Sequence, residues 1–214
     1  MKRPILTILT LLSLTTAAGA APVAFDGGWK QQKFSLFSQN KYGYQGNTLT
    51  VQSDGSVSLT YKPLPQEQWT SQAASWSWSV SKGVPATNLS RKGGDDRNLA
   101  LYFVFLPQEQ ARALQGASVR KLLGENAVRV LVYVWGGAEG RGAILDSPYL
   151  GARGKTVVLR PAGTGQASER VNLAGDYGKA FGGQPGALVG IAISADSDDT
   201  DSMIEARVSG LSVN

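Results

Sequence analysis

The sequence predicts an all-β chain, a jelly-roll-like β-sandwich with one or two short inserted helices. Three observations predict it. Almost every periodic segment alternates apolar and polar residues with period two, as a half-buried strand does. The 26 glycines gather between those segments, where turns form. The chain shows no internal repeat, low-complexity tail or linker, so the many short strands belong to one body.

The elements follow in order. Met1-Lys2-Arg3 is a basic head, residues 5–14 are apolar and uncharged, and Ala18-Gly19-Ala20 places small residues where a signal peptidase reads. That apolar stretch is shorter than the roughly 20 residues a bilayer span needs. A signal peptide at 1–20, cleaved near Ala20, is therefore expected. Residues 21–214 then form a single domain in the periplasm or outside the cell. Segments 49–51 and 57–61 alternate around Asp54-Gly55, a hairpin pattern. Segment 74–80 alternates strictly, with Trp76, Trp78 and Val80 on one face and serines on the other. Residues 98–106 are apolar on both faces, which predicts a central strand covered on both sides. Segment 127–135 places Val128, Val130, Val132 and Val134 on one face, read as core. Further strands are expected at 156–159, 168–173, 188–194 and 204–213. Helices are expected at 107–123, opened by Pro107, and at 176–181, with Asp176 close to an N-cap.

Composition excludes much chemistry. The chain has no Cys and no His. It can hold no disulfide, no Cys or His zinc site, and no Ser-His or Cys-His catalytic pair. Acid–base work would fall to Asp, Glu, Tyr, Lys or Arg, and a bound metal would be a hard, oxygen-liganded ion such as calcium. Removing Lys2 and Arg3 from the 21 basic residues leaves 19 against 16 acidic ones, so the mature chain is only weakly basic. Without a dense basic stripe, nucleic acid is not an expected partner. No second apolar stretch is long enough to span a membrane.

Four constellations could carry function. Asp196-Ser197-Asp198-Asp199-Thr200-Asp201 holds four carboxylates in six residues. It is not an EF-hand, since Asp201 stands where Gly belongs and Arg207 where the final Glu belongs. It is either a solvated turn or a calcium site with Asp196, Asp198 and Asp199 as ligands. Lys92-Gly93-Gly94-Asp95-Asp96-Arg97 turns into the central strand, and Asp95 joins that ligand set if the two loops meet. Arg129, Tyr133 and Trp135, extended by Tyr102, form an aromatic and polar face suited to a sugar ring, or one covered by the 107–123 helix. Glu169 shares a face with Val171 and Leu173, while Arg170 and Asn172 share the other. An inward Glu169 needs a cation, for which Arg129 and Arg153 are candidates.

The order of motifs adds a resemblance. Ser75-Trp76-Ser77-Trp78-Ser79-Val80, Lys92-Gly93-Gly94-Asp95-Asp96 and Tyr102-Phe103-Val104-Phe105 come first. Tyr133-Val134-Trp135-Gly136, Ser147-Pro148-Tyr149, Glu169-Arg170-Val171-Asn172, Asp176-Tyr177, Phe181-Gly182 and Ala195-Asp196-Ser197-Asp198-Asp199-Thr200 follow. Over residues 34–213 this series resembles the exported bacterial family catalogued as domain of unknown function 3047. A Trp expected near Ala167 is absent. The resemblance implies an exported β-sandwich similar to the jelly rolls of carbohydrate-binding modules and lectins, and it implies no activity.

The expected function is an exported, non-catalytic envelope binding protein. Arg129, Tyr133, Trp135, Glu169, Arg170 and Asn172 would hold a glycan or similar polar small molecule on a sheet face, with calcium as the candidate cofactor. Two alternatives stay open. One is a glycan-active hydrolase or lyase, using Asp95 or Asp96 with Glu169, or Tyr133 or Tyr149. The other is a structural or partner-binding envelope protein.

Overall fold

The computed structural model describes residues 20–34 and 38–214. The expected signal peptide, but for Ala20, lies outside the described residues. The fold is mostly β, with two sheets packed face to face. The first sheet takes, in spatial order, β11 (Gly165–Asn172), β6 (Ala73–Lys82), β13 (Met203–Val213), β4 (Thr48–Asp54) and β3 (Lys41–Gln45). β1 (Ala21–Pro22) pairs with the last residues of β13. The second sheet takes β2 (Lys30–Lys33), β5 (Val57–Pro63), β12 (Ala187–Asp196), β7 (Arg97–Leu106), β8 (Arg129–Trp135), β10 (Gly151–Arg160) and β9 (Ile144–Ser147). Its β8–β10 pair is parallel, and the other pairings in both sheets are antiparallel.

The inner faces meet in a layer of rings. Trp76 and Trp78 from β6 face Phe103 of β7 and Tyr133 and Trp135 of β8, with centroid separations from 5.6 to 6.0 Å. Tilted and edge-on contacts of this kind are the preferred aromatic geometry. The outward serines of β6 lie beside Arg207, Ser209 and Ser212 of β13. β7 occupies the middle of its sheet and is buried along its length apart from Arg97 and Tyr102. The expected central, doubly covered strand is therefore present.

Four expectations change. Asp54-Gly55 is a corner and not a hairpin turn, because β4 and β5 lie in different sheets. Gly55, at φ +49°, donates its N–H to the Ser202 carbonyl, and Ser53 bonds Ser197 at 2.8 Å, tying the corner to the loop before β13. The single helix expected at 107–123 is two helices, α1 (Gln108–Ala113) and α2 (Val119–Gly124). Gly116 at φ +79° breaks the run, and Ser118 restarts it by accepting the Lys121 N–H. Strands β1, β2, β3 and β9 were not expected, and β10 begins at Gly151, before the anticipated residue 156. α3 (Leu173–Phe181) starts before the expected residue 176, and its N-cap is Asn172, whose side chain accepts the Gly175 N–H, with Asp176 inside the first turn. No helix of the described residues is long and apolar enough to cross a membrane.

Candidate functional site

The two faces of β8 have separate fates. The register Leu99–Trp135, Leu101–Tyr133 and Phe103–Leu131 turns its aromatic face toward the other sheet. The alternate register Tyr102–Val132 and Val104–Val130 turns the valines outward, onto a face that is also covered. The expected sugar platform is corrected accordingly: Tyr133 and Trp135 belong to the core layer, at 0% and 5% exposure. Tyr133 donates to Asp176 Oδ2 of α3 at 2.9 Å, and burial followed by that carboxylate raises its phenol pKa. Arg129 donates to the carbonyls of Asn126 and Val128.

Over the outward valines lies a cavity of about 260 Å³. Its floor is β5, β12, β7, β8 and β10, through Leu59, Ala192, Val104, Val130 and Thr156. Its roof is Val119 and Leu123 of α2 together with the 147–150 turn, and Phe34 stands at its rim. One end is apolar. At the other end, antiparallel pairing sets Asp196 beside Arg97 and Val57, and a charged network closes the space.

Arg97 organises that end. Its Nη1 donates to Asp95 Oδ2 at 2.9 Å and to the Asp95 carbonyl at 2.8 Å, and lies 3.1 Å from Asp196 Oδ2. Its Nη2 donates to the Tyr102 hydroxyl, which bonds Ser194 Oγ at 3.0 Å. Burial opposes the guanidinium charge, but Tyr102, Asp196 and Asp95 outweigh it and hold its pKa above the usual value. Tyr149 donates to Asp95 Oδ1 at 3.0 Å, and Lys92 lies 5.6 Å from the centre of its ring. Burial and the Asp95 carboxylate raise the Tyr149 phenol pKa, so it stays a donor.

The question of the two acidic loops is answered: they meet. Asp96, fully buried, accepts the Thr200 N–H at 2.8 Å and the Thr200 hydroxyl at 2.6 Å. One carboxylate oxygen from each of Asp96, Asp198 and Asp199 lies within 4.8 Å of the others. Asp196 sits beside Asp198 with no donor for its buried Oδ1. The two carboxyls bond each other only when one carries a proton. Burial pushes the Asp196 pKa up to about 8, Arg97 works against this, and Asp198 and Asp96 add to it. Burial, then Asp96 and Asp198, raise Asp199 as well.

Of the candidate ligands, Asp95, Asp196, Asp198 and Asp199 therefore cluster at one end of the cavity, and the other six do not join them. Glu169 lies on β11 in the opposite sheet, away from Asp95 and Asp96, so the expected hydrolase pair is not brought together. Its cations are Arg160, at 2.8 Å, and Arg141, at 3.0 Å, in place of Arg129 or Arg153. Arg153 instead donates to the carbonyls of Leu123 and Glu125. Arg170 is exposed on the outer face, and Asn172 caps α3. Glu169→Gln is expected to lower stability by about 1–2 kcal/mol in urea denaturation, because its buried carboxylate loses charge-assisted bonds while both arginines can turn to water. Ligand binding at the cavity should be unchanged.

Sequence reasoning placed Arg97 near the acids but missed its bridge to Tyr102. The signal available was an Arg, two residues after Asp95, entering an otherwise apolar strand.

The model of a family described as "Protein of unknown function (DUF3047)" matches residues 27–212. No curated protein matches in sequence. Among solved structures, the chain is similar to a family 11 carbohydrate-binding module from Clostridium thermocellum in complex with a β-1,3-1,4-mixed-linked tetrasaccharide. The identity is 11% and the TM-score 0.44, over 92% of this chain and 96% of that one. A family 11 xylanase from Neocallimastix patriciarum gives 13% identity and a TM-score of 0.47, over 91% and 94%. The xyloglucanase domain of NopAA, a type three effector from Sinorhizobium fredii, gives 10% and 0.45, over 94% and 99%.

Proposed function

The chain belongs to the DUF3047 family, and we propose that it is an exported, non-catalytic binding domain that takes an amphiphilic small molecule into the outer-face cavity. The ligand's apolar body lies over Val104, Val130 and Val132. Its polar end, a sugar or another hydroxylated group, meets the acceptors of Asp95, Asp196 and Asp198. The observation that carries this reading is the one-sided polarity of the cavity, with aliphatic walls and a charged end. An open sheet face is a weaker candidate for a glycan. The register positions on the outer face of the six-stranded sheet carry Ser75, Ser77, Ser79, Arg207 and Ser209, and no ring for a sugar to stack on.

A second reading has its own observation. Asp95 and Asp196 each lie within about 3 Å of one Arg97 nitrogen, so their carboxyls are no more than about 6 Å apart, close to the spacing of a retaining glycosidase pair. Arg97 occupies the space between them that a glycosidic bond would need, which favours binding over hydrolysis.

The test fills the cavity. Val132→Trp puts an indole into the empty volume from a rigid central strand. Titration with N-phenyl-1-naphthylamine, an uncharged apolar fluorophore, should show saturable binding to the wild type and affinity at least about tenfold lower in the variant, with stability changed by less than about 3 kcal/mol. Equal affinity in a folded variant would remove the cavity from consideration.

A further inference from the structure

We propose that the loop between β12 and β13 binds a calcium ion, held by Asp96, Asp198 and Asp199, with the buried carboxyl of Asp196 beside Asp198. Two independent observations carry this. First, three carboxylate oxygens from two segments about a hundred residues apart converge within 4.8 Å, a span that ligands at about 2.3–2.6 Å from a calcium ion can bridge. Second, Asp196 is 5% exposed, yet its Oδ1 has no hydrogen-bond partner, and its carboxyl lies beside that of Asp198. A buried carboxylate oxygen without a partner is costly, and a cation between Asp196 and Asp198 removes that cost.

Charge balance points the same way. Arg97 is shared by Asp95 and Asp196. Among the described residues, Asp96, Asp198 and Asp199 have no ion pair. Asp96 is wholly buried, and its Oδ2 is fixed by Thr200. Its Oδ1 has only a long contact, 3.4 Å, from the Asp199 N–H and keeps lone pairs free. The donor set is all oxygen, which selects a hard cation over zinc or copper. Asp198 lines the cavity as well, so the ion would sit beside the polar end of the cavity. Asp196 and Asp198 would then serve both the ion and the polar end of the cavity, and calcium binding needs no ligand in the cavity.

Calorimetric titration of the chelator-treated protein with calcium chloride tests this. Asp198 and Asp199 are exposed, so Asp198→Asn and Asp199→Asn should fold, as circular dichroism can check. One ion per chain is expected for the wild type. The melting temperature should rise by about 5–11 °C at a hundredfold excess over Kd, and affinity in either variant should be at least about tenfold weaker. Absence of both heat and thermal shift would overturn the proposal, as would equal affinity in the variants. A third result against it would be no response to calcium together with a melting temperature that falls as pH rises from about 5 to about 9. A carboxyl whose pKa is raised in the folded state loses its stabilising proton in that direction, and a proton shared by Asp196 and Asp198 would then fill the place of the ion.

Discussion

Trp135→Ala should cost about 3–5 kcal/mol of stability and lower the melting temperature by about 6–20 °C, read by calorimetry or circular dichroism. The indole is 5% exposed and meets the Trp78 ring edge-on at 5.6 Å, inside the layer where the two sheets touch. Truncation removes a large apolar surface, and strands paired on both sides of β8 cannot collapse into the space. Trp135→Phe keeps a ring in place and should cost less than half as much. The sequence-based expectation placed Trp135 on a ligand platform instead. A folded Trp135→Ala protein that melts like the wild type but no longer binds its ligand would restore that platform and refute the core assignment.

Arg97→Met should cost about 3–5 kcal/mol, although methionine fills a similar volume, because it leaves the Asp95 and Asp196 carboxyls buried without their shared cation. The Tyr102 hydroxyl loses the Nη2 donor as well. Arg97→Lys keeps the charge but cannot fork to both carboxylates and the phenol, so an intermediate loss is expected. Adding Asp196→Asn to Arg97→Met should recover part of the loss, since a neutral amide removes a buried carboxyl that must otherwise stay unpaired or take up a proton. Urea denaturation of the wild type, Arg97→Met, Asp196→Asn and the double variant provides the comparison. If the double variant is less stable than Arg97→Met by the full cost of Asp196→Asn alone, the two groups are uncoupled and the network account fails.

The sequence by itself determined the β architecture, since a period of two over segment after segment admits little else. It placed Trp76, Trp78 and Val80 together on one face and 98–106 as the central strand, because their alternation pattern is local. The absence of Cys and His confined any metal site to oxygen ligands. Which strands become neighbours is a long-range fact, and the tertiary structure decided it. Both faces of β8 are buried, so alternation could not tell the layer between the sheets from the wall of the cavity, and Trp135 and Val132 exchanged roles. Asp54-Gly55 has the composition of a hairpin turn, yet β4 and β5 separate because each finds its partners elsewhere, in β13 and β12. The acids of the two loops meet because β12 runs antiparallel beside β7 and sets Asp196 against Arg97. Residues about a hundred positions apart came together through backbone pairing, which no local pattern of side chains encodes.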